Sequence, residues 1–512
     1  MSKTSAKNKN NLQPRPPIVV VAGHIDHGKS TLLDYIRQSS IVAKEAGGIT
    51  QHLGAYEVKH KTQEGKDRMI TFLDTPGHED FGTIRIRGAN LSDIAILIIS
   101  AEEGVKPQTI ETIKVLKETE TPFLVAFNKI DRPTANPEKI KQELAEQEVL
   151  VESWGGDIPT VEISAKTGQG IDNLLEVLCL MADMAELTTN PLDDLQATVI
   201  ETHMDPQTGP TITAIITDGT LQLGQFIGAN GQIAKIKKIE NDKQESLTKA
   251  EASTPVKIFG FSCLPIVGSN IIALKDKKTA GKYAKDFKTD EDSTTSCMEK
   301  TEKNLDIPII IKADTAGCLE AIIAKINKIN QETDTQVKLK MVCSACGNIT
   351  DNDIKLLLGS KDTGLATGFN VKIEKSAQDI ADRYNIRLAT FDIIYELTDW
   401  LKEQMKNLDD TAGQEKVMGQ ATILKCFNSK VGKQVAGGQV TEGIISRRLP
   451  LKIKRGEEII GVGKISNLEI NKSSAEEVSD KDQFGIQIDT KTEIQPQDII
   501  ISFKPPVTDG QK

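Results

Sequence analysis

The sequence predicts a multidomain chain of α/β and β architecture: an α/β domain built on a glycine-rich loop, a β-barrel, a small α/β/α domain, a connecting helix and a C-terminal β-barrel. Three observations carry this. The β-branched run Ile18-Val19-Val20-Val21-Ala22 reads as a buried parallel strand and leads at once into a glycine-rich loop and an apolar-periodic helix. After Asn190-Pro191 the strand–helix alternation gives way to short β-rich segments with glycine turns, and the same texture returns from Gly419 to Phe503. At 512 residues the chain also exceeds what one core serves, because domains close at roughly 100–200 residues each.

Composition narrows the class. An apolar fraction of 38% with no long uncharged apolar run predicts no membrane span. The seven cysteines, at 179, 263, 297, 318, 343, 346 and 426, form no disulfide framework, which suits a reducing, cytoplasmic setting. Cys343-x-x-Cys346 can be read as a zinc or redox pair or as small-residue packing at a strand end; it has no second pair or histidine beside it. A net charge of −10 argues against indiscriminate nucleic-acid binding but leaves local patches open. Residues 1–17 carry Lys3, Lys7, Lys9 and Arg15 and no acid, the composition of a transit peptide or of a disordered basic arm that touches RNA phosphates; the arm is the expectation.

The loop after the first strand is Gly23-His24-Ile25-Asp26-His27-Gly28-Lys29-Ser30, a G-x-x-x-x-G-K-S pattern running through Thr31 into a helix. Gly23 and Gly28 free the backbone to turn its N–H groups onto phosphate oxygens at a helix N-terminus. Lys29 reaches the β- and γ-phosphates, and the Ser30 hydroxyl is placed for Mg²⁺, a hard ion that prefers oxygen ligands.

The base follows from a later strand, Phe123 to Phe127, that ends in Asn128-Lys129-Ile130-Asp131. A carboxylate at Asp131 accepts both the ring N–H and the exocyclic amine of guanine, a pair adenine lacks. Ser164-Ala165-Lys166, after Val161-Glu162-Ile163, supplies a second base loop. Between these lies Asp74-Thr75-Pro76-Gly77-His78 at the end of a strand: Asp74 for Mg²⁺ through water, Gly77 for the γ-phosphate, and His78 to orient the attacking water. Upstream, Gly48-Ile49-Thr50 forms a switch whose Thr50 hydroxyl joins Mg²⁺ only while the γ-phosphate is present. The fold class is therefore that of a P-loop GTPase domain with accessory domains, and the cofactors are GTP and Mg²⁺.

Gly-His-Ile-Asp-His-Gly-Lys-Ser, Gly-Gly-Ile-Thr and Asp-Thr-Pro-Gly-His resemble the translational GTPases, and residues 46 to 56 narrow the resemblance to initiation factor two and its archaeal and eukaryotic relatives. Residues 135 to 191, with Trp154-Gly155-Gly156-Asp157 among them, are similar to the bacterial branch. The resemblance implies a catalytic role for His78, positioned by the ribosome. It also implies the small and large ribosomal subunits and initiator aminoacyl-tRNA as partners of a cytoplasmic monomer.

The expected organisation is a basic arm over 1–17, the GTPase domain over 18–190, a β-barrel over 191–275 and an exposed linker or loose helix over 276–305. An α/β/α domain follows over 306–392, without a glycine-rich loop of its own; then come a helix over 393–413, a second barrel over 414–505 and a tail over 506–512. Ile394, Leu397, Leu401 and Met405 stripe that helix, as they would any core-facing helix. The resemblance makes the first barrel a neighbour of the small subunit and the last one the holder of the acylated tRNA 3′ end.

Departures sit in that last barrel. Gly438 and Phe484 stand where the family has cysteines lining the tRNA-end pocket, Leu468-Glu469-Ile470 replaces a more basic stretch, and Arg455 matches a family arginine. Seventeen residues precede the first strand where the family carries a long extension. The leading reading is an initiation GTPase that brings initiator tRNA to the small subunit and promotes subunit joining. Beside it stand a ribosome-binding relative with altered or lost initiator selection, a metabolic GTPase subunit such as that of sulfate activation, and a nucleotide-gated binding module without useful hydrolysis.

Overall fold

The computed structural model describes residues 11–37, 53–77, 81–205, 207–291, 305–332, 337–358, 364–384, 386–412, 416–428, 432–456, 458–470, 473–479, 482–490 and 492–504. Of the expected site residues, Gly48, Ile49, Thr50 and His78 lie outside them. The first compact unit runs to Trp400 and contains the GTPase domain, the first barrel and the α/β/α domain; the second is chiefly the C-terminal barrel from Leu401.

The GTPase sheet has six strands in the order Gly54–Lys61, Asp67–Asp74, Ile18–Gly23, Ile94–Ser100, Phe123–Asn128, Thr160–Glu162. The first pair is antiparallel and the rest run parallel. Because side chains alternate along a strand, each face carries its own apolar set. Val19, Val21, Ile96 and Ala126 pack with Leu32 and Leu33 of helix Lys29–Arg37 and Leu174 and Leu178 of helix Ile171–Met184. Leu97, Ile99, Val125 and Phe127 pack on the other side with Ile113, Ile140 and Leu144. The sheet is thus covered twice, and every strand that ends in a site loop is clamped on both faces.

Residues 11–17, the described part of the expected arm, are tied to the body where the sequence predicts disorder. Gln13–Pro14 pairs antiparallel with Thr188–Thr189, and the Arg15 guanidinium donates to both oxygens of Asp93 at 2.7 and 2.6 Å. A half-buried carboxylate that also accepts the Ile18 N–H at 2.8 Å needs a cation, and Arg15 is the nearest supply. The same arginine meets the Ser253 hydroxyl at 3.3 Å. Ser253, fully buried in a loop of the first barrel, donates to Pro16 O at 2.6 Å and accepts on its carbonyl from Thr71 Oγ1 at 2.7 Å. The barrel is therefore stitched to the sheet through Thr71, on the strand that ends at Asp74.

That barrel closes as a ring of six strands, Phe226–Ala229, Asn270–Leu274, Gln196–Asp205, Gly209–Asp218, Pro255–Phe261 and Gln232–Glu240, the last pairing back to the first. The stretch expected as a linker or loose helix opens as a helix, Lys277–Glu291. Its Tyr283 ring covers Gly228, where a Cβ would come within 2.6 Å of the ring. The α/β/α domain orders its strands Val337–Cys346, Leu305–Ala313, Leu365–Phe369, Arg387–Phe391. Cys343 packs with the Ile310–Ile349 core, whereas Cys346 is pushed up to about 12 by burial and by Asp314 and Cys318 beside it. Both cysteines lie on the strand Val337–Cys346. Helix Ile394–Ala412 buries the expected stripe Ile394, Leu397, Leu401 and Met405.

The C-terminal barrel is again a six-strand ring: Pro450–Arg455, Ile499–Lys504, Lys416–Asn428, Gly432–Gly443, Gln483–Thr490, Glu458–Ile470, the last pairing back to the first. Gly438 and Phe484 are cross-strand partners in it. Phe484 is 4% exposed and belongs to the core, its ring lying where a Cβ on Gly438 would stand, 2.9 Å away. That Cβ would also come 2.8 Å from the Thr422 carbonyl oxygen, so Gly438→Ala overpacks the core and should destabilise the barrel by about 1–3 kcal/mol. Combining it with Phe484→Leu should recover part of the loss, because neighbours in contact are not additive. Strictly additive shifts in the barrel's thermal transition would mean that the ring does not fill that space.

Candidate functional site

The site is built at the carboxyl ends of the parallel strands, where loops leave a sheet that cannot move. Gly23 ends its strand at φ +148, with the Ile98 carbonyl oxygen 2.4 Å from where its Cβ would be. Gly28, at φ +93, would place a Cβ 2.2 Å from the Asn128 amide nitrogen. Neither position admits a side chain, and Asp26 between them also sits in the left-handed region at φ +64.

Lys29 opens the following helix and is buried, its Nζ donating to Gly23 O at 2.9 Å and His24 O at 2.6 Å. Burial pushes its pKa down to about 8 against the pull of the Asp74 carboxylate. The lysine is thus held extended along the loop with its charge poorly solvated, an arrangement that favours an incoming anion. Gly77 lies against it: a Cβ there would stand 2.3 Å from Nζ. The Thr75 hydroxyl donates to Val21 O at 2.9 Å, and Pro76 is buried, so the Asp74-Thr75-Pro76-Gly77 loop is pinned beside the phosphate loop. Ser30 is half-buried in the helix's first turn, whereas the Thr31 side chain is exposed.

The base loops join this assembly through one side chain. Asn128, 2% exposed, donates from Nδ2 to His27 O at 2.7 Å and accepts on Oδ1 from Ala165 N–H at 2.9 Å. Ser164 Oγ donates to Asp131 Oδ1 at 2.7 Å, a hydrogen bond that holds the exposed Asp131 carboxyl below the usual carboxylate range. Lys129, at φ +65, reaches Glu103 at 3.0 Å, and Lys166 is exposed at the loop's edge. Glu103, and Gln108 whose Oε1 accepts from Ile25 N–H at 3.4 Å, carried no sequence signal, because each is an ordinary polar residue in the turn and helix after Ser100.

His27 differs from expectation. Its ring is fully buried beneath the loop, with Nδ1 3.4 Å from Ile98 O and the His24 ring edge-on at 5.0 Å. Burial, then His24, pushes its pKa down to about 4, so the imidazole is neutral and supports the loop from below; only its backbone can face a phosphate.

In the C-terminal barrel the three expected tRNA-end residues do not form an open pocket. Phe484 is core, as described. Arg455 donates from Nε and Nη2 to the two oxygens of Asp498, both at 2.8 Å, and from Nη2 to Glu493 O at 2.9 Å. Asp498 is 1% exposed; burial alone would raise its pKa, but the Arg455 hydrogen bonds hold it below the usual range. Arg455 is thereby paired with a buried carboxylate through Nε and Nη2, while its side chain stays 39% exposed.

A P-loop on a doubly covered sheet, a lysine laid along it, and the N-K-x-D and S-A-K loops tied together beside it define a P-loop guanine-nucleotide-binding protein. Residues 15–183 match the family described as Elongation factor Tu GTP binding domain, 194–274 match Elongation factor G domain 2, and 283–402 match Translation-initiation factor 2. Translation initiation factor IF-2 of Bacillus subtilis is 38% identical over 509 residues, 97% of this chain and 70% of that protein. That of Bacillus pumilus is 39% identical over 505 residues, 96% and 70%. The chain belongs to the translation initiation factor IF-2 family. It spans about half the length of the Desulforamulus reducens relative, with 38% identity over 97% of the chain but 51% of that protein. A solved structure described as GDP-bound aIF5B from Aeropyrum pernix aligns over 96% of the chain and 92% of its own, at 26% identity and a TM-score of 0.45.

The buried His27 makes an acid-sensitivity prediction. Between pH 6.5 and 4 the unfolded chain binds a proton that the folded chain refuses, so stability rises with pH across that window and is lost as pH falls. At 1.36 kcal/mol per pKa unit the loss at pH 5 is about 2 kcal/mol. His27→Gln should flatten the dependence, as read from the GTPase-domain melting temperature between pH 7 and 5; equal slopes in both proteins would contradict a buried neutral imidazole.

Proposed function

We propose that this chain is a GTP-hydrolysing initiation factor that brings initiator aminoacyl-tRNA to the small ribosomal subunit and promotes joining of the large one, acting as a cytoplasmic monomer. The observation that carries the guanine switch is Asn128, whose one amide ties the phosphate loop at His27 O to the base loop at Ala165 N. Asp131, aligned by Ser164, reads the base. The oxygens of Ser30 and Asp74, with Thr50, suit a hard cation and would hold Mg²⁺. When bound, that ion supplies charge neutralisation at the phosphates.

The chain's own residues do the rest. Gly23 and Gly28 present backbone N–H groups, Lys29 supplies a buried cation, and Gly77 sits against that cation, so a γ-phosphate taken up by Lys29 is felt at the Asp74–Gly77 loop. Thr71 extends the strand of that loop into the first barrel, which supports a nucleotide-dependent change of grip on a partner. His78 follows Gly77 directly and is assigned to orient water.

A second reading has an observation of its own. Phe484 fills the space over Gly438, and Arg455 is tied to Asp498. Both favour a ribosome-binding GTPase with altered initiator selection. Co-sedimentation with ribosomal subunits, with and without acylated or deacylated initiator tRNA, in GTP and in GDP, separates the two. GTP-dependent sedimentation that ignores aminoacylation selects the second reading; no sedimentation in either nucleotide rejects both.

Two substitutions test the site. Asp131→Asn places a donor opposite guanine's donors and should transfer preference to xanthosine triphosphate; unchanged GTP affinity in a direct titration would sink the base assignment. His78→Ala should bind GTP as the parent does and lose roughly 10²–10⁴-fold of ribosome-stimulated hydrolysis, the usual scale for a positioned catalytic group. Hydrolysis at the parental rate on ribosomes would remove His78 from the mechanism.

A further inference from the structure

Strand Gly54–Lys61, at the edge of the nucleotide sheet, carries a buried hydroxyl with no part in the phosphate or base loops. Tyr56 is 2% exposed, and its hydroxyl has no hydrogen-bond partner among the described residues. A buried phenol ordinarily finds one, because an unpaired O–H has given up its water on folding for nothing in return. Phenylalanine would fill the same space without that cost, so packing does not explain the oxygen.

The ring is held by two neighbours. It stacks on Phe72 at a centroid distance of 5.9 Å, and the Arg37 guanidinium carbon stands 4.3 Å from its centroid. Across the antiparallel ladder Tyr56 pairs with Phe72 and Gly54 with Asp74. Side chains two apart on a strand share a face, so Tyr56 and Asp74 are diagonal neighbours on one side of the sheet. That side is packed by Leu32 and Leu33 of the helix that opens with Lys29 and Ser30. A diagonal neighbour is within reach of an aromatic side chain. Gly54 has no side chain to stand in the way; a Cβ there would come to 3.6 Å from that of Asp74. Burial, then the Asp74 charge, pushes the phenol's pKa up, so the hydroxyl keeps its proton.

A tyrosine stacked in a core is common, and that alone would account for the ring. It leaves the hydroxyl unaccounted for. An orphaned phenol beside a carboxylate suits a hard, hydrated cation: Mg²⁺ keeps several of its waters, and their hydrogens need acceptors. Carboxylates that serve a metal are themselves oriented by a further hydrogen bond. We propose that Tyr56 is a positioning residue for the Mg²⁺ site, its hydroxyl accepting from a water of the metal's shell and donating towards the Asp74 carboxylate. The proposal rests on the reading of Ser30 and Asp74 as groups that hold Mg²⁺, and it adds the group that orients the second of them.

Release of a fluorescent GDP analogue from the full chain is followed as free Mg²⁺ is raised from an EDTA-treated start. Tyr56→Phe keeps the stacked ring and removes only the oxygen. In EDTA it should release the nucleotide as the parent does. It should then need about 10- to 100-fold more Mg²⁺ to slow release by half, the usual loss when the outer partner of a metal-holding group is removed. Melting of the EDTA-treated chain reports the fold, and losing an unpaired buried hydroxyl should leave the variant no less stable than the parent. A hydroxyl with a merely structural role would lower that melting temperature on removal and leave the Mg²⁺ midpoint where it was, which overturns the proposal. Ser30→Ala, measured in the same way, separates the two readings. A midpoint that moves in Ser30→Ala but not in Tyr56→Phe sinks this proposal alone; one that moves in neither sinks the Mg²⁺ assignment with it.

Discussion

Asn128 has almost no contact with solvent, and an amide so placed must satisfy a donor and an acceptor inside the protein or cost the fold several kcal/mol. It does so by donating to the carbonyl of His27 and accepting from the N–H of Ala165. These belong to loops after three different strands of one sheet, so the amide sets the spacing between the glycine-rich loop and the loop after Ile163. Gly28 is glycine because that same amide stands where a side chain would go. The neutral, buried His27 ring beneath supports the loop carrying that carbonyl. The spacing of these loops is therefore held by packing and hydrogen bonds, not by loop rigidity alone.

From there the constraint spreads outward. Lys29 is extended along its loop, donating to the Gly23 and His24 carbonyls, and Gly77 lies against its Nζ. The loop bearing Gly77 leaves the strand whose Thr71 holds Ser253 of the barrel, while Arg15 and Asp93 close the same seam from the other side. Phosphate loop, switch strand and barrel share one continuous run of short polar contacts.

The fold and the phosphate and base loops were legible because they depend on local rules. Val19 to Ala22 must be a buried strand, G-x-x-x-x-G-K-S must turn where glycine alone fits, and N-K-x-D must follow a strand. What the sequence hid depends on partners far along the chain. Arg15 reads as one more cation of a basic arm until Asp93, 78 residues on, captures it. Arg455 matches a tRNA-facing arginine by position, yet Asp498 claims it, because burying that carboxylate uncompensated would be worse than losing an exposed cation. Phe484 is placed in a tRNA-end pocket by position alone, and its cross-strand glycine shows the room in the core that its ring fills. Glu103 and Gln108 had no pattern to betray them at all.

The seam through Arg15, Asp93, Thr71 and Ser253 bears on how this protein can be taken apart. A fragment cut at the sequence boundary after Asn190 would keep Arg15, Asp93 and Thr71 but lose the serine loop they close upon, uncovering a strip of the central sheet beside its first strand. The smallest piece that preserves the native surroundings of the phosphate loop is the nucleotide domain together with its barrel, taken from about Leu12 onward. Modularity here is set by where polar side chains cross from one body to the next, and the transferable part is larger than the sequence motifs that mark it.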